Sequence, residues 1–326
     1  MAADVHHDTG RPESDMQPNQ VLEEIVRKRA AVYKRLNSAV INAIPHELAA
    51  TEVIFGDAEV IPTPFRSDLK VRYVTLQDKV GNDIYVAIAG TTGQGIAQAA
   101  AATARVVAKC HFLKRVVLIG IAAGQPNLSD KEKDVRLGDV VVGDKLIQYD
   151  HVKRSDGKFL LRGDNIAPGD RELLDAVDRL RSLQERTGPE VAEKPWDGYI
   201  RRGSDKVRSS TRPDGDRDPN SAGRNYTKGL TYQRPADAPY LHVGTIGSAS
   251  TLLKDEKYRD KLNQAYGMIA YEMEGAGVAI AAASAGLAYL NVRGICDYGD
   301  VRKNDDWQTY ASVCAAAVAR AILEEF

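Results

Sequence analysis

Four carboxylates sit where a carboxyl group could do acid–base or electrostatic work. Asp297 closes the apolar run 290–296, so it falls at the end of a strand of buried type. Open α/β sheets hold ligands beyond such ends. A carboxylic acid kept protonated there by a raised pKa can hand a proton to a leaving group; the position equally suits an Asp that caps a turn. Glu272 and Glu274 stand two apart in YEMEG. In an extended segment both project to one face, whereas a helix starting there separates them, and a Glu in a first helical turn is favoured by the dipole alone. Glu47 lies in AIPHEL after the apolar pair Val40-Ile41, at a strand-to-helix position. Its neighbour His46 reads as a surface histidine beside a helix start. The turn at 90–95 (GTTGQG) could aim backbone N–H groups at an anion, or could simply need glycine torsions.

The elements that must position these groups alternate. Residues 71–76, 83–89, 115–121, 138–148, 240–246, 268–271 and 287–295 read as strands, and 96–110, 274–285 and 306–325 as helices. Buried-type strands separated by helices predict an α/β sheet covered on both faces. Residues 21–36 form an amphipathic helix with Val21, Ile25, Val32 and Leu36 on one side, after a polar lead over 1–20 that reads as disordered. Residues 187–236 break the pattern. They are rich in Gly, Pro, Asp, Asn, Ser and Arg and too long for an ordinary connection, which predicts a disordered or functional loop. Between positions 201 and 234 nine basic residues face four acidic ones.

Composition narrows the function. The 326 residues allow one large or two small domains. A 43% hydrophobic and 27% charged chain is globular rather than disordered. A net charge of −1 argues against a generally basic nucleic-acid binder. Aromatics at 6% favour helices packed on a sheet over an aromatic-rich sandwich. Cys110, Cys296 and Cys314 include no C-x-x-C pair, which excludes a disulfide framework and leaves small buried hydrophobes. The weakly polar run 276–290 is shorter than the roughly 20 residues that cross a bilayer. Residues 1–20 carry no apolar signal core. The expectation is a reduced, cytoplasmic protein without membrane contact.

The segments INAIPHELAA (41–50), LIGIAAG (118–124), GTIGSASTLLKD (244–255), YEMEGAG (271–277) and VRGICDYGDVRKNDDW (292–307) together resemble the nucleoside phosphorylase and methylthioadenosine/S-adenosylhomocysteine nucleosidase superfamily. The likeness spans about residues 38–325, interrupted by 187–236. RLGDVVVGD at 136–144 and KNDDW at 303–307 point to the nucleosidase-like effector branch of fungal and bacterial immune proteins. The resemblance implies a three-layer αβα fold around a central mixed, twisted sheet. It implies a catalytic domain over 38–326 after an N-terminal lead and helix over 1–37. It also implies cleavage of a purine N-glycosidic bond. In that chemistry Asp297 protonates the leaving purine, Glu274 binds the ribose hydroxyls and steadies the developing cation, and Glu47 activates water. Glu272 and Met273 lie by the ribose, Leu252 and Leu253 flank the purine, and Ala123 and Gly93 bring backbone close. An early Gly-Asp-Pro and the paired arginines of phosphorylases are missing, which favours water as nucleophile. Arg302, Lys303 and the basic insertion are expected to hold a 5′ polyphosphate, with the insertion as a lid. The implied substrate is an adenine nucleotide, ATP above methylthioadenosine. No metal or cofactor is expected. A homo-oligomer, a dimer or trimer of dimers, is expected, and a separate sensor protein would have to supply any switch. A non-catalytic nucleotide-sensing module stands as the alternative from another class.

Overall fold

Strands form where β-branched runs alternate their side chains between two cores, and helices form where alanine-rich stretches can lie close on that sheet. The structure, a computed structural model, describes residues 18–61, 71–156, 158–162, 166–186, 193–229 and 238–326. In chain order the first half comprises α1 (Pro18–Arg35), β1 (Ser38–Asn42), α2 (Pro45–Phe55), β2 (Glu59–Val60), β3 (Arg72–Gln77), β4 (Asp83–Gly90), α3 (Ile96–Lys109), β5 (Arg115–Gly124) and β6 (Val140–Gln148). The hairpin β7 (Val152–Ser155) and β8 (Lys158–Leu161) follows, then β9 (Ile166–Pro168), α4 (Arg171–Gln184) and α5 (Asp197–Lys206). The rest is β10 (Leu241–Ser248), α6 (Glu256–Tyr266), β11 (Met268–Glu272), α7 (Gly275–Ser284), β12 (Ala288–Asp297) and α8 (Gln308–Leu323). The disordered lead expected over 1–20 falls almost wholly outside the described residues.

The main sheet is mixed, in the order β11-β10-β6-β12-β5-β1-β4-β3-β2, with β9 beside β6. β12 runs parallel to β5 and antiparallel to β6. β11 pairs β10 and also meets β5, so one side of the sheet curls back on itself. Alternation sorts side chains into two cores. Val40, Val117 and Ile119 face α2, α4, α5 and α8, whereas Ala39, Ile41, Val116 and Leu118 face α3 and α7. The result is the three-layer α/β arrangement with a central mixed sheet. α8 is buried nearly all round, as a helix apolar on every face must be. It lies so close to β12 that a Cβ at Gly294 would collide with the carbonyl of Ala311.

The insertion differs from its expectation. Within 193–229 the chain forms α5, whose Trp196 and Ile200 are buried in the main core and whose Gly203 sits against Val313 and Ile54. Further on, Arg224 bonds the fully buried Asp134 at 2.6 Å, Asp218 at 3.0 Å and the Tyr298 hydroxyl at 2.9 Å. Tyr226 also donates to Asp134, and Asn225 and Thr227 donate their amides to Leu128 and Ser129. This part of the segment is a strap fastened to the domain. Packing against α2 and α8, which the local sequence does not encode, makes a helix of DGYIRRGSDK. Residues 187–192 and 230–236, including Arg234, lie outside the described residues.

Candidate active site

The carboxyl ends of β5, β11 and β12 come together, with Ala123 in register with both Asp297 and Tyr271. A cavity of about 600 Å³ opens there. Glu47, Gly93, Ala123, Leu252, Leu253, Glu272, Met273, Glu274, Asp297 and Lys303 all line it. Arg302 does not. Its guanidinium bonds Asp300 at 2.6 Å and reaches Pro219 and Asn220 of the strap. Nor does any described residue of 193–229 line the cavity, because Arg224, Arg217 and Arg201 are paired with Asp134, Asp306 and Glu193. The expected lid of cations is thus not formed by these residues.

At one end three glutamates gather round Arg293, which is wholly buried. Arg293 bonds Glu272, stands 3.5 Å from Glu274 and donates to Asn291 at 2.8 Å. β11 stops at Glu272, whose carboxylate accepts the Glu274 and Gly275 amides at 2.9 and 2.7 Å and so caps α7. Glu274 itself accepts the Gly95 amide at 3.0 Å, at the start of α3. Glu47 stands at the third position of α2 and closes a capping box. It accepts the amides of Ala43 (2.8 Å), Ile44 (3.1 Å) and, across the sheet, Ile121 (2.9 Å). A Cβ on Gly120 would crowd both Arg293 and Glu47, at 2.6 Å from the latter's Oε1. One guanidinium cannot neutralise three buried carboxylates. Burial, with Glu272 and Glu47 adding to it against Arg293, pushes Glu274 up to about 7. Burial likewise raises Glu47 against the pull of Arg293 and its three amides.

At the other end Asp297 accepts the Gly299 amide at 2.8 Å, the Cys296 thiol at 3.1 Å and the Lys303 ammonium at 2.8 Å. Burial alone would lower Lys303, but Asp297 beside it more than offsets this and the lysine is raised. Leu253 packs against the Gly299 turn, while Leu252 is half exposed at the mouth.

A family model described as the Phosphorylase superfamily matches residues 38–324. The chain belongs to this superfamily. Among its relatives, a nucleotide-binding leucine-rich repeat (NLR)-like protein of Hyaloscypha variabilis is 28% identical over 318 residues. That match covers 92% of this chain and 30% of the relative. The ATP nucleosidase Cap17 of Escherichia coli is 24% identical, over 94% of this chain and 55% of its own length. The chain therefore spans about a third to a half of these two relatives. Among solved structures, the 5′-methylthioadenosine/S-adenosyl homocysteine nucleosidase of Helicobacter pylori superposes with a TM-score of 0.61 at 16% identity. It covers 90% of this chain and 99% of that one, a likeness of fold.

In this superfamily member sequence reasoning also passed over residues behind and along the cavity wall. Arg293 was legible in principle, because a charge inside the buried run 290–296 has to find partners. Tyr149 and Tyr271, an edge-on pair 6.3 Å apart, supply the aromatic wall that Leu252 and Leu253 lack. His46 is half-buried and lines the cavity rather than lying on the outer surface. Its Nε2 is enclosed without a hydrogen-bond partner among the described residues.

Proposed function

We propose that the protein is a purine N-ribosyl hydrolase that releases adenine from an adenine nucleotide, ATP in the first place. The observation that carries the reading is the convergence of Glu47, Glu274 and Asp297, from α2, the start of α7 and the end of β12, on one cavity. Breaking the bond leaves positive charge on the ribose and negative charge on the purine. Glu274 answers the first by accepting from the ribose hydroxyls and steadying the cation. Asp297 answers the second by protonating the purine. Glu47 takes the proton of the water that adds to the ribose. Met273 and Glu272 flank the sugar, and Tyr149, Leu252 and Leu253 flank the base. Thr91, Thr92 and Gly93 with the start of α3 offer a polar end for a 5′ phosphate. ATP as substrate rests on the likeness to Cap17, and a defence role rests on the branch the sequence resembles. Assembly as a homo-oligomer and activation by a separate sensor protein belong to the same reading.

A second reading, a neutral 5′ group as in methylthioadenosine, draws on one observation. Among the described residues, Lys303 is the one lysine or arginine on the cavity wall, and Asp297 engages it. Chromatography of ATP, ADP, AMP, adenosine and methylthioadenosine reactions, with and without phosphate, decides between the two. The proposal expects adenine and ribose triphosphate from ATP without phosphate. Faster cleavage of methylthioadenosine supports the second reading. Ribose 1-phosphate that rises with added phosphate marks a phosphorylase, and no adenine from any of them overturns hydrolysis altogether.

A further inference from the structure

Lys303 stands on the loop that follows β12, and everything about that loop fixes it in place. Asp300, almost wholly buried, accepts the Arg302 amide at 2.8 Å and its guanidinium at 2.6 Å, and the Lys303 amide closes the turn on the Asp300 carbonyl at 3.2 Å. Arg302 ties the turn to Pro219 and Asn220. Tyr298 is held at its carbonyl by Arg259 and at its hydroxyl by Arg224 and Asp218. The strap therefore mounts the loop from behind, and the loop delivers the Lys303 ammonium to Asp297 with only 17% of the side chain exposed.

Both oxygens of Asp297 accept hydrogen bonds, one from an amide and the other from Cys296 and Lys303. Of these donors the amide cannot release its proton, and the Cys296 thiol, although on the cavity wall, is held well above its usual range by burial and by Asp297. The remaining donor on Asp297 is the Lys303 ammonium, 2.8 Å away and also on the cavity wall. We propose that Lys303 acts through Asp297 as the supplier of the proton that the departing purine receives. The inference rests on the N-ribosyl hydrolase reading. In the step, the C1′–N9 bond breaks and its electron pair passes into the purine. Asp297, a carboxylate at rest, takes the proton of the Lys303 ammonium and passes it to purine N7. Asp297 therefore begins and ends as a carboxylate, and Lys303 ends as a neutral amine. Water adds its oxygen to C1′ and gives a proton to Glu47, and solvent resets both Glu47 and Lys303.

This assigns Lys303 to the base rather than to a phosphate, and the two roles are separable. A 7-methylated adenine substrate already carries the positive ring that protonation creates, so its leaving needs no proton. Lys303→Met should lower kcat on the ordinary substrate by about 100-fold or more, but on its 7-methyl counterpart by less than about tenfold. Lys303→Arg keeps the charge and the ion pair but cannot give up its proton, and should lose nearly as much as the methionine variant on the ordinary substrate. Full activity of the arginine variant overturns the proposal, because charge alone then suffices. So does an equal loss on both substrates by the methionine variant, which marks a structural or phosphate-binding role. Asp297→Asn is the control. If the unmodified enzyme releases no adenine, or the asparagine variant does not spare the 7-methyl substrate, the hydrolase reading of Asp297 has failed rather than the role of Lys303.

Discussion

The two ends of the cavity each set a cation against carboxylate, and they do it differently. At the proposed ribose end Arg293 lies inside β12, wholly buried, and is shared by Glu272, Glu274 and, more distantly, Glu47. It keeps its charge under all conditions, and rigid strand and helix termini surround it. At the proposed base end Lys303 reaches a single carboxylate from a loop, partly exposed, with an ammonium that, unlike a guanidinium, can change charge. On the proposed hydrolase reading, the difference fits the chemistry each end would perform. A fixed field suits a cation that forms and vanishes on the sugar, whereas proton transfer needs a group whose charge changes.

Replacing Arg293 by Met should break the first end most severely. Three buried carboxylates lose their counter-charge, and removing one partner of a buried pair costs about 3–5 kcal/mol. Denaturant unfolding should show that loss together with no measurable adenine release. At the second end Asp297→Asn should leave folding intact and slow adenine release by about 10²- to 10⁴-fold, read by chromatography on the purified variant. Glu274→Gln should cost on the order of 10²-fold in kcat. Because Glu274 would grip the ribose hydroxyls, the variant should also narrow the preference for ribose over 2′-deoxyribose substrates.

Acidity sharpens the same contrast. Glu274 lies at about 7, and only its ionised form serves the cation. Adenine release should therefore rise with pH from about 6 to 8, and Glu274→Gln should flatten that rise. The stability sign is opposite. A carboxyl raised by folding favours the folded state below its ordinary value, and that contribution fades as pH climbs through about 7. The empty protein's melting temperature should thus fall over the range in which activity grows. The smallest effect belongs to Arg302→Ala. Its guanidinium is about half exposed and pairs with Asp300, so stability and KM for ATP should each move by no more than about 1 kcal/mol.

What the sequence made legible follows strand ends. Asp297 after 290–296 and Glu274 after 268–271 were readable because buried strands announce where they stop. The third position of α2 was readable from IPHEL. The direction of the loop after β12 was not, since it depends on Asp300 and on a strap some eighty residues earlier in the chain. For that reason Arg302 was set beside a phosphate, whereas it pairs with Asp300 and stands off the cavity. The strap misled for a related reason. Gly, Pro and Asp content describes local preference, whereas Arg224 finds Asp134 across 90 residues. Of the two readings of Glu272 and Glu274, the helix start is the one seen: the strand ends between them, yet Arg293 draws both inward.

The place of β12 in the sheet has a consequence for how the protein comes into being. Among the described residues it is the last strand in chain order, and it sits between β5 and β6. Before residues 288–297 arrive, β1, β4 and β5 on one side and β6, β10 and β11 on the other are joined only by the short meeting of β11 with β5. Arg293 and Asp297 are supplied by that same final strand. Residues 288–297 must therefore be made before the halves close and the site exists, since such long-range pairings form late. On the proposed hydrolase reading, a nascent polypeptide that stops short of β12 cannot attack nucleotides. In cell-free synthesis, adenine release should appear only once chains extend past residue 297.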